Sequence, residues 1–227
     1  MDILDILKRR AVVGHRGYPV KELENTLPSI EAAIKSGADI VEADVQMTAD
    51  GVVVLSHDDT LERTFGVFLN VRTATWEEVR RVTKGRVPSL REALELVAER
   101  AGVFVEVKHP EDAAAVWRVI KEAGAARWAA VISFHDQALA QVEGYKGLVY
   151  AKPPGRVLNA KKLKCHIVLP RYTLATEKAI SLAHKLGLYV VVWTVNDPAT
   201  AAELWKRGVD GIATDDVEAI LKALGRK

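Results

Sequence analysis

Asp39-Ile40-Val41-Glu42-Ala43-Asp44-Val45-Gln46-Met47-Thr48-Ala49-Asp50-Gly51-Val52-Val53-Val54-Leu55-Ser56-His57 reads as two strands joined by a tight turn. Side chains on a strand alternate between its faces. Val41, Ala43 and Val45 therefore share one face, and Ile40, Glu42 and Asp44 the other. The Asp50-Gly51 pair is favoured in a two-residue hairpin turn. Such a turn sets Thr48 opposite Val53 and brings Asp44 opposite His57. Two carboxylates on an otherwise apolar strand, with a histidine delivered beside them, mark a candidate site.

Working outward, short apolar runs alternate with helical patterns almost to the end of the chain, which argues for parallel strands joined by helical crossovers. Strands are expected near residues 11–15, 39–47, 52–56, 103–108, 129–134, 148–151, 166–169, 189–195 and 210–214. Helices are expected near 27–35, 75–82, 89–100, 113–122, 137–142, 157–161, 177–186, 199–206 and 217–224, with a short amphipathic helix at the start. Nine strands are one too many for an eight-stranded barrel. The strand at 52–56 follows a tight turn, whereas a parallel connection needs about a dozen residues. It is therefore an antiparallel hairpin arm. Eight βα units remain, and the expected fold is a TIM (β/α)8 barrel with a β-hairpin arm and a short cap at 58–87, forming one domain over residues 1–227.

Composition narrows the function classes. The 227 residues are 49% hydrophobic and 27% charged, with a formal net charge of +2, which suits one globular core. The longest basic cluster, Lys8-Arg9-Arg10, is too short for a nucleic-acid footprint. No apolar run approaches the ~18 residues that span a bilayer, so membrane insertion is not expected. The acidic, periodic start is unlike a secretory signal, and the one cysteine, Cys165, fits a reducing compartment. A cytoplasmic location is the expectation.

In a TIM barrel the chemistry sits at the carboxyl ends of the strands. Those ends carry His15 and Arg16, then Glu42 and Asp44, then Glu106 and Lys108. In 103–108 the three valines alternate with Phe104, Glu106 and Lys108, so both charges face the barrel axis. A charge there without a partner costs several kcal/mol, on the order of 3–5. Three converging carboxylates repel one another, and a divalent cation removes that repulsion. Oxygen donors without thiolates suit Mg²⁺ or Ca²⁺ better than zinc. Two histidines add proton carriers near neutral pH, and Arg16 and Lys108 add fixed positive charge. Together these groups suit attack at phosphorus.

The ordered set His15-Arg16-Gly17, Glu24-Asn25-Thr26, Glu42-x-Asp44, Thr48-x-Asp50-Gly51, His57-Asp58, Glu106-x-Lys108 and Trp193-Thr194-Val195-Asn196 resembles the glycerophosphodiester phosphodiesterases. The resemblance runs from about Val12 to Asp216. It departs at Leu23, where the family usually has proline. It implies hydrolysis of a small glycerophosphodiester to sn-glycerol 3-phosphate and an alcohol, with a divalent cation. By position, Glu42, Asp44 and Glu106 bind the metal, and His15 and His57 form the acid–base pair. Arg16 and Lys108 contact the phosphate, with Lys108 also counted among the catalytic groups, and Trp193 packs on the glycerol.

Alternatives stay open. Lys108 could serve only as a structural partner for Glu106, and Glu24 could brace its loop. Phe65 and Phe68 of the cap could meet the alcohol or pack the cap down. His109, His135, His166 and His184 lack partner motifs and read as surface or outer residues. Rival activities are a lysophospholipase D or sphingomyelinase D type reaction, a phosphosugar isomerase or lyase on the same barrel, and a non-catalytic phosphoglycerol-binding protein.

Overall fold

Each short apolar run pairs with the next around a closed ring. The computed structural model of the chain describes residues 1–152 and 155–226. Its strands are β1 (Ala11–Gly14), β2 (Ile40–Met47), β3 (Val53–Leu55), β4 (Gly102–Val107), β5 (Ala129–Ser133), β6 (Lys146–Tyr150), β7 (Ile167–Pro170), β8 (Tyr189–Val192) and β9 (Gly211–Thr214). Parallel pairing runs β1-β2-β4-β5-β6-β7-β8-β9 and returns to β1, so eight strands close a barrel. β3 is antiparallel to β2 and lies outside that ring. The helices are α1 (Ile3–Lys8), α2 (Leu27–Lys35), α3 (Glu62–Phe65), α4 (Trp76–Thr83), α5 (Leu90–Val97), α6 (Ala113–Glu122), α7 (Asp136–Ala140), α8 (Arg156–Lys162), α9 (Glu177–Lys185), α10 (Pro198–Arg207) and α11 (Val217–Ala223). α5 is shorter than the periodicity predicts, because Ala98 and Glu99 both take the left-handed backbone and end it.

The period-two pattern separates two cores. Val41, Ala43, Val45, Val103, Val105 and Val107 face outward into the layer beneath the helices. Ile40, Phe104, Ile132, Ile167, Leu169 and Val191 point to the barrel axis. The lower end of that axis is filled by α1, whose Ile3, Ile6 and Leu7 are buried among them. Gly102 at the foot of β4 makes this seat possible, since a Cβ there would lie 3.1 Å from both Ile40 and Ile6. The amino-terminal end of the barrel is thus plugged, and a cavity opens at the other.

β1 stops early, and this creates the hairpin arm. Beyond Gly14 the chain folds back over itself, and a Cβ on Gly17 would meet the Ser29 backbone at 2.6 Å. β2 continues past the end of β1, and its residues Val45 to Met47 pair with β3 instead. The register differs by one from the two-residue turn expected for Asp50-Gly51. Met47 faces Val53, and the Thr48 N–H donates to the Val52 carbonyl at 2.9 Å, so the loop has three residues with Gly51 at φ 84°. This is the wider hairpin that needs a left-handed third residue. The side chains explain the choice: Thr48 Oγ1 donates to Asp50 Oδ1 at 2.6 Å and accepts the Val52 N–H at 3.0 Å. Asp44 consequently lies opposite Ser56, whose N–H reaches the Asp44 carbonyl at 3.0 Å, and His57 follows the last pair.

The short cap after the hairpin has its own small core of Val54, Leu61, Val71, Ala74, Val79 and Val87. Phe65 packs against that cluster, with the Arg86 guanidinium 5.0 Å over its ring, while Phe68 is 83% exposed. Neither phenylalanine lines the central cavity.

Candidate active site

The open end of the barrel holds a cavity of about 210 Å³ with two unlike walls. His15, Arg16, Glu42, His57, Glu106 and Lys108, delivered by the ends of β1, β2, β3 and β4, form one. Ile132, Phe134, Val149, Leu169, Trp193 and Ala213, from β5 to β9, form the other.

The three acids meet because β2 and β4 are neighbours in register, with Asp44 beside Glu106 and Glu42 beside Phe104. One carboxylate oxygen from each of Glu42, Asp44 and Glu106 lies within 4.8 Å of the other two. Burial pushes the Glu42 carboxyl up to about 8, helped by the neighbouring Asp44 charge. Glu106 is raised for the same two reasons. Asp44 goes the other way: burial opposes its charge, but Lys108 and Arg16 outweigh that and hold it below the usual range.

Each acid is held by specific partners. Lys108 Nζ lies 2.7 Å from Asp44 Oδ1 and 2.6 Å from Glu106 Oε1. Arg16 Nε is 3.1 Å from Asp44 Oδ2, close enough for an ion pair though not aligned as a hydrogen bond. Asn25 clamps Asp44 twice, donating from Nδ2 to Oδ2 at 2.9 Å and accepting the Asp44 N–H at 3.1 Å. The Arg16 N–H donates to Glu42 Oε2 at 2.8 Å, whereas Glu42 Oε1 is buried with no partner among the described residues. An acceptor left bare in this way costs free energy unless something else binds it.

Both imidazoles are oriented through Nδ1. His15 Nδ1 is 2.7 Å from Asp215 Oδ1, and Asp215 Oδ2 accepts Asn196 Nδ2 at 2.7 Å. His57 Nδ1 is 2.7 Å from Asp58 Oδ1. A carboxylate on Nδ1 fixes the tautomer and leaves Nε2 for chemistry. Burial pulls the His15 imidazole down, but the Asp215 hydrogen bond and the Glu42 charge raise it further, and the net shift is upward. Trp193 is fixed on the facing wall by Nε1 donating to the Leu169 carbonyl at 2.7 Å, and it meets Phe134 edge-on with ring centroids 5.5 Å apart.

All eight residues singled out from the sequence are brought to this end of the barrel, seven of them along the cavity and Asp44 buried directly behind it. Glu24 stands back, accepting from Arg16 at 2.9 Å and from Arg63 at 2.7 Å, so it braces its loop. Of the remaining histidines, His109 and His184 pair with Asp59 and Asp210, and His166 meets Tyr145 edge-on. None of these three, nor His135, lines the cavity. Asp215 and the roles of Asn25 and Asn196 escaped the sequence reading. The signal for Asp215 was present: it follows an apolar run ending at the barrel mouth, as Lys108 does.

A sequence profile of the Glycerophosphoryl diester phosphodiesterase family matches residues 15–219. A glycerophosphodiester phosphodiesterase from Caldanaerobacter subterraneus subsp. tengcongensis is 29% identical over 92% of this chain and 96% of its own. The crystal structure of such an enzyme from Thermotoga maritima superposes with a TM-score of 0.85 at 33% identity, covering 94% of this chain and 97% of that one. A phosphodiesterase from Oleispira antarctica, solved with the product sn-glycerol-3-phosphate, shares the fold with a TM-score of 0.87 at 24% identity, covering 97% and 99% of the two chains.

Proposed function

This chain belongs to the glycerophosphoryl diester phosphodiesterase family, a phosphodiesterase family on a TIM barrel, and from that premise we propose that it hydrolyses glycerophosphodiesters to sn-glycerol 3-phosphate and an alcohol in the cavity described above. The observation that carries the reading is the meeting of three acids, two cations and two carboxylate-oriented histidines around one cavity. The bound product of the Oleispira antarctica protein supports the same substrate class.

The acids fit a hard divalent cation. Their donors are all oxygens, and among the described residues no group satisfies the buried Glu42 Oε1. Glu42, Asp44 and Glu106 would hold Mg²⁺ or Ca²⁺. Such an ion supplies neutralisation of the charge that builds on the phosphoryl oxygens.

The protein's own groups do the rest. Arg16 and Lys108 turn positive charge toward the non-bridging oxygens. His15 Nε2 takes the proton of the nucleophile, which is water or the neighbouring glycerol hydroxyl; attack by the hydroxyl gives a cyclic phosphate that water then opens to glycerol 3-phosphate. His57 Nε2 gives a proton to the leaving alcohol oxygen. Trp193 and the apolar wall take the carbon face of the glycerol and exclude water from it. The single buried Cys165 agrees with a reducing compartment, and we assign the cytoplasm.

The test is release of glycerol 3-phosphate from glycerophosphocholine with and without EDTA. Turnover that chelation stops and Mg²⁺ or Ca²⁺ restores is the expected result. Full turnover after exhaustive chelation removes the metal, and no turnover of any glycerophosphodiester removes the activity. The apolar wall is the one observation favouring a second reading, a lysophospholipase D type reaction. Turnover of a lysophospholipid in preference to glycerophosphocholine would select it.

A further inference from the structure

Arg63 sits on α3, outside the cavity, yet its guanidinium spans two carboxylates that each hold a group of the reaction. Its Nε donates to Asp58 Oδ2 at 2.5 Å, and the other oxygen of Asp58 meets His57 Nδ1. Its Nη1 and Nη2 donate to Glu24 at 3.0 and 2.7 Å, and Glu24 also accepts from Arg16. The chain of contacts His57–Asp58–Arg63–Glu24–Arg16 thus ties the second histidine to the phosphate-facing arginine through one planar fork.

Stability alone accounts poorly for this arrangement. Arg63 is half exposed, and exposed ion pairs contribute little. The geometry contributes more. His57 comes after the last hairpin pair, so the β2–β3 ladder does not fix its ring. Gln46 of β2 ties down the loop backbone at the Ser56 and His57 carbonyls, at 3.4 and 3.3 Å, but it cannot hold the Asp58 carboxylate in place. Arg63 can, because α3 is rooted in the cap core by Leu61 and Phe65. Its fork then locks Asp58 against Glu24, on the β1 side of the mouth. The guanidinium also favours the charged form of Asp58: burial raises that carboxyl, and the hydrogen bonds from His57 and Arg63 bring it below its ordinary value.

We infer that Arg63 is a positioning residue that acts through Asp58 on His57 and sets that imidazole's place relative to Arg16. The chemistry assigned to His57 rests on the function proposed above; the coupling of Arg63 to His57 does not.

The experiment compares Arg63→Ala, Arg63→Lys, His57→Ala and the double variant His57→Ala/Arg63→Ala on glycerophosphocholine and on a p-nitrophenyl glycerophosphodiester, whose leaving group needs no proton. Arg63→Ala is expected to lower kcat on glycerophosphocholine about tenfold to a hundredfold, the range for an outer partner that orients a functional imidazole. KM should move little, and the loss on the p-nitrophenyl ester should be far smaller. Arg63→Lys should fall between, since an ammonium keeps the charge and loses the fork; it also carries the comparison if Arg63→Ala does not fold. The double variant should be no slower than His57→Ala. Losses that multiply in the double variant, or an unchanged Arg63→Ala, overturn the inference. Equal loss of Arg63→Ala on both esters overturns it as well when His57→Ala does discriminate between them. If His57→Ala itself fails to discriminate, the acid role of His57 falls, and the double variant alone decides for or against Arg63.

Discussion

His15 Nδ1 and Asp215 Oδ1 are 2.7 Å apart across two hundred residues of chain. The contact follows from barrel closure. β1 pairs with β9 so that Gly14 faces Thr214, and the next residue on each strand is His15 on one side and Asp215 on the other. The carboxylate that orients the proposed base therefore comes from the last strand.

Asp215→Asn tests that dependence. Asp215 is one of the groups that lift the His15 imidazole above its ordinary value. A base works only when unprotonated, so activity rises as pH passes its pKa. Removing the carboxylate lowers that pKa, and the acid limb of the kcat/KM profile should move to lower pH while kcat falls about tenfold to a hundredfold. A limb that stays in place would take the role of base away from His15.

Without a divalent ion, Glu42 should make stability depend on pH. Its folded-state pKa is raised from 4.5 to about 8, so its contribution is fully present below about pH 4.5 and is lost as pH rises through about 8. In EDTA the Tm should fall between pH 5 and pH 8, and Mg²⁺ or Ca²⁺ should raise it more at pH 8 than at pH 5. Glu42→Gln should weaken the metal-free dependence, leaving the share that Glu106 contributes, and lose activity. Thermal melts across pH decide it, and an equal metal effect at both pH values would contradict the assignment.

Gly17→Ala should damage fold and site together. Gly17 has φ 87°, and a Cβ would sit 2.4 Å from Ser29 Oγ and 2.6 Å from its carbonyl carbon. The backbone strain alone costs roughly 1–2 kcal/mol, and the backbone clash adds to it. The Arg16 N–H that holds Glu42 lies on the same turn, so metal affinity should fall along with the denaturation midpoint. Wild-type affinity in a folded variant would show that this turn does not set the cluster.

Leu7→Ala separates stability from chemistry. Leu7 is fully buried in the plug, and such a truncation costs about 2–5 kcal/mol. Well below the new Tm, kcat and KM should stay near wild type, because α1 fills the end of the barrel opposite the cavity. A specific loss of kcat in the folded variant would mean the plug shapes the site.

The strand faces were legible because period-two alternation depends only on the local chain, and Glu42, Asp44 and Glu106 were assigned to the axis on that ground. The hairpin register was not, because Asp50 and Gly51 serve two turn types equally well. The decision came from Thr48 and from the Trp76 N–H, which donates to Asp50 Oδ1 at 2.9 Å across the cap. Asp215 and Arg63 were missed for another reason. Their importance lies in which strand or helix lands beside them, and that is set by closure of the barrel and docking of the cap.

The packed axis, sealed at its foot by the seated helix, makes the barrel a cup. Substrate, water and both products must then pass one shared rim, formed on one side by the His57 loop and on the other by Phe134 and Trp193. Whatever narrows that rim slows arrival and departure alike, so changes there should shift kcat and KM together.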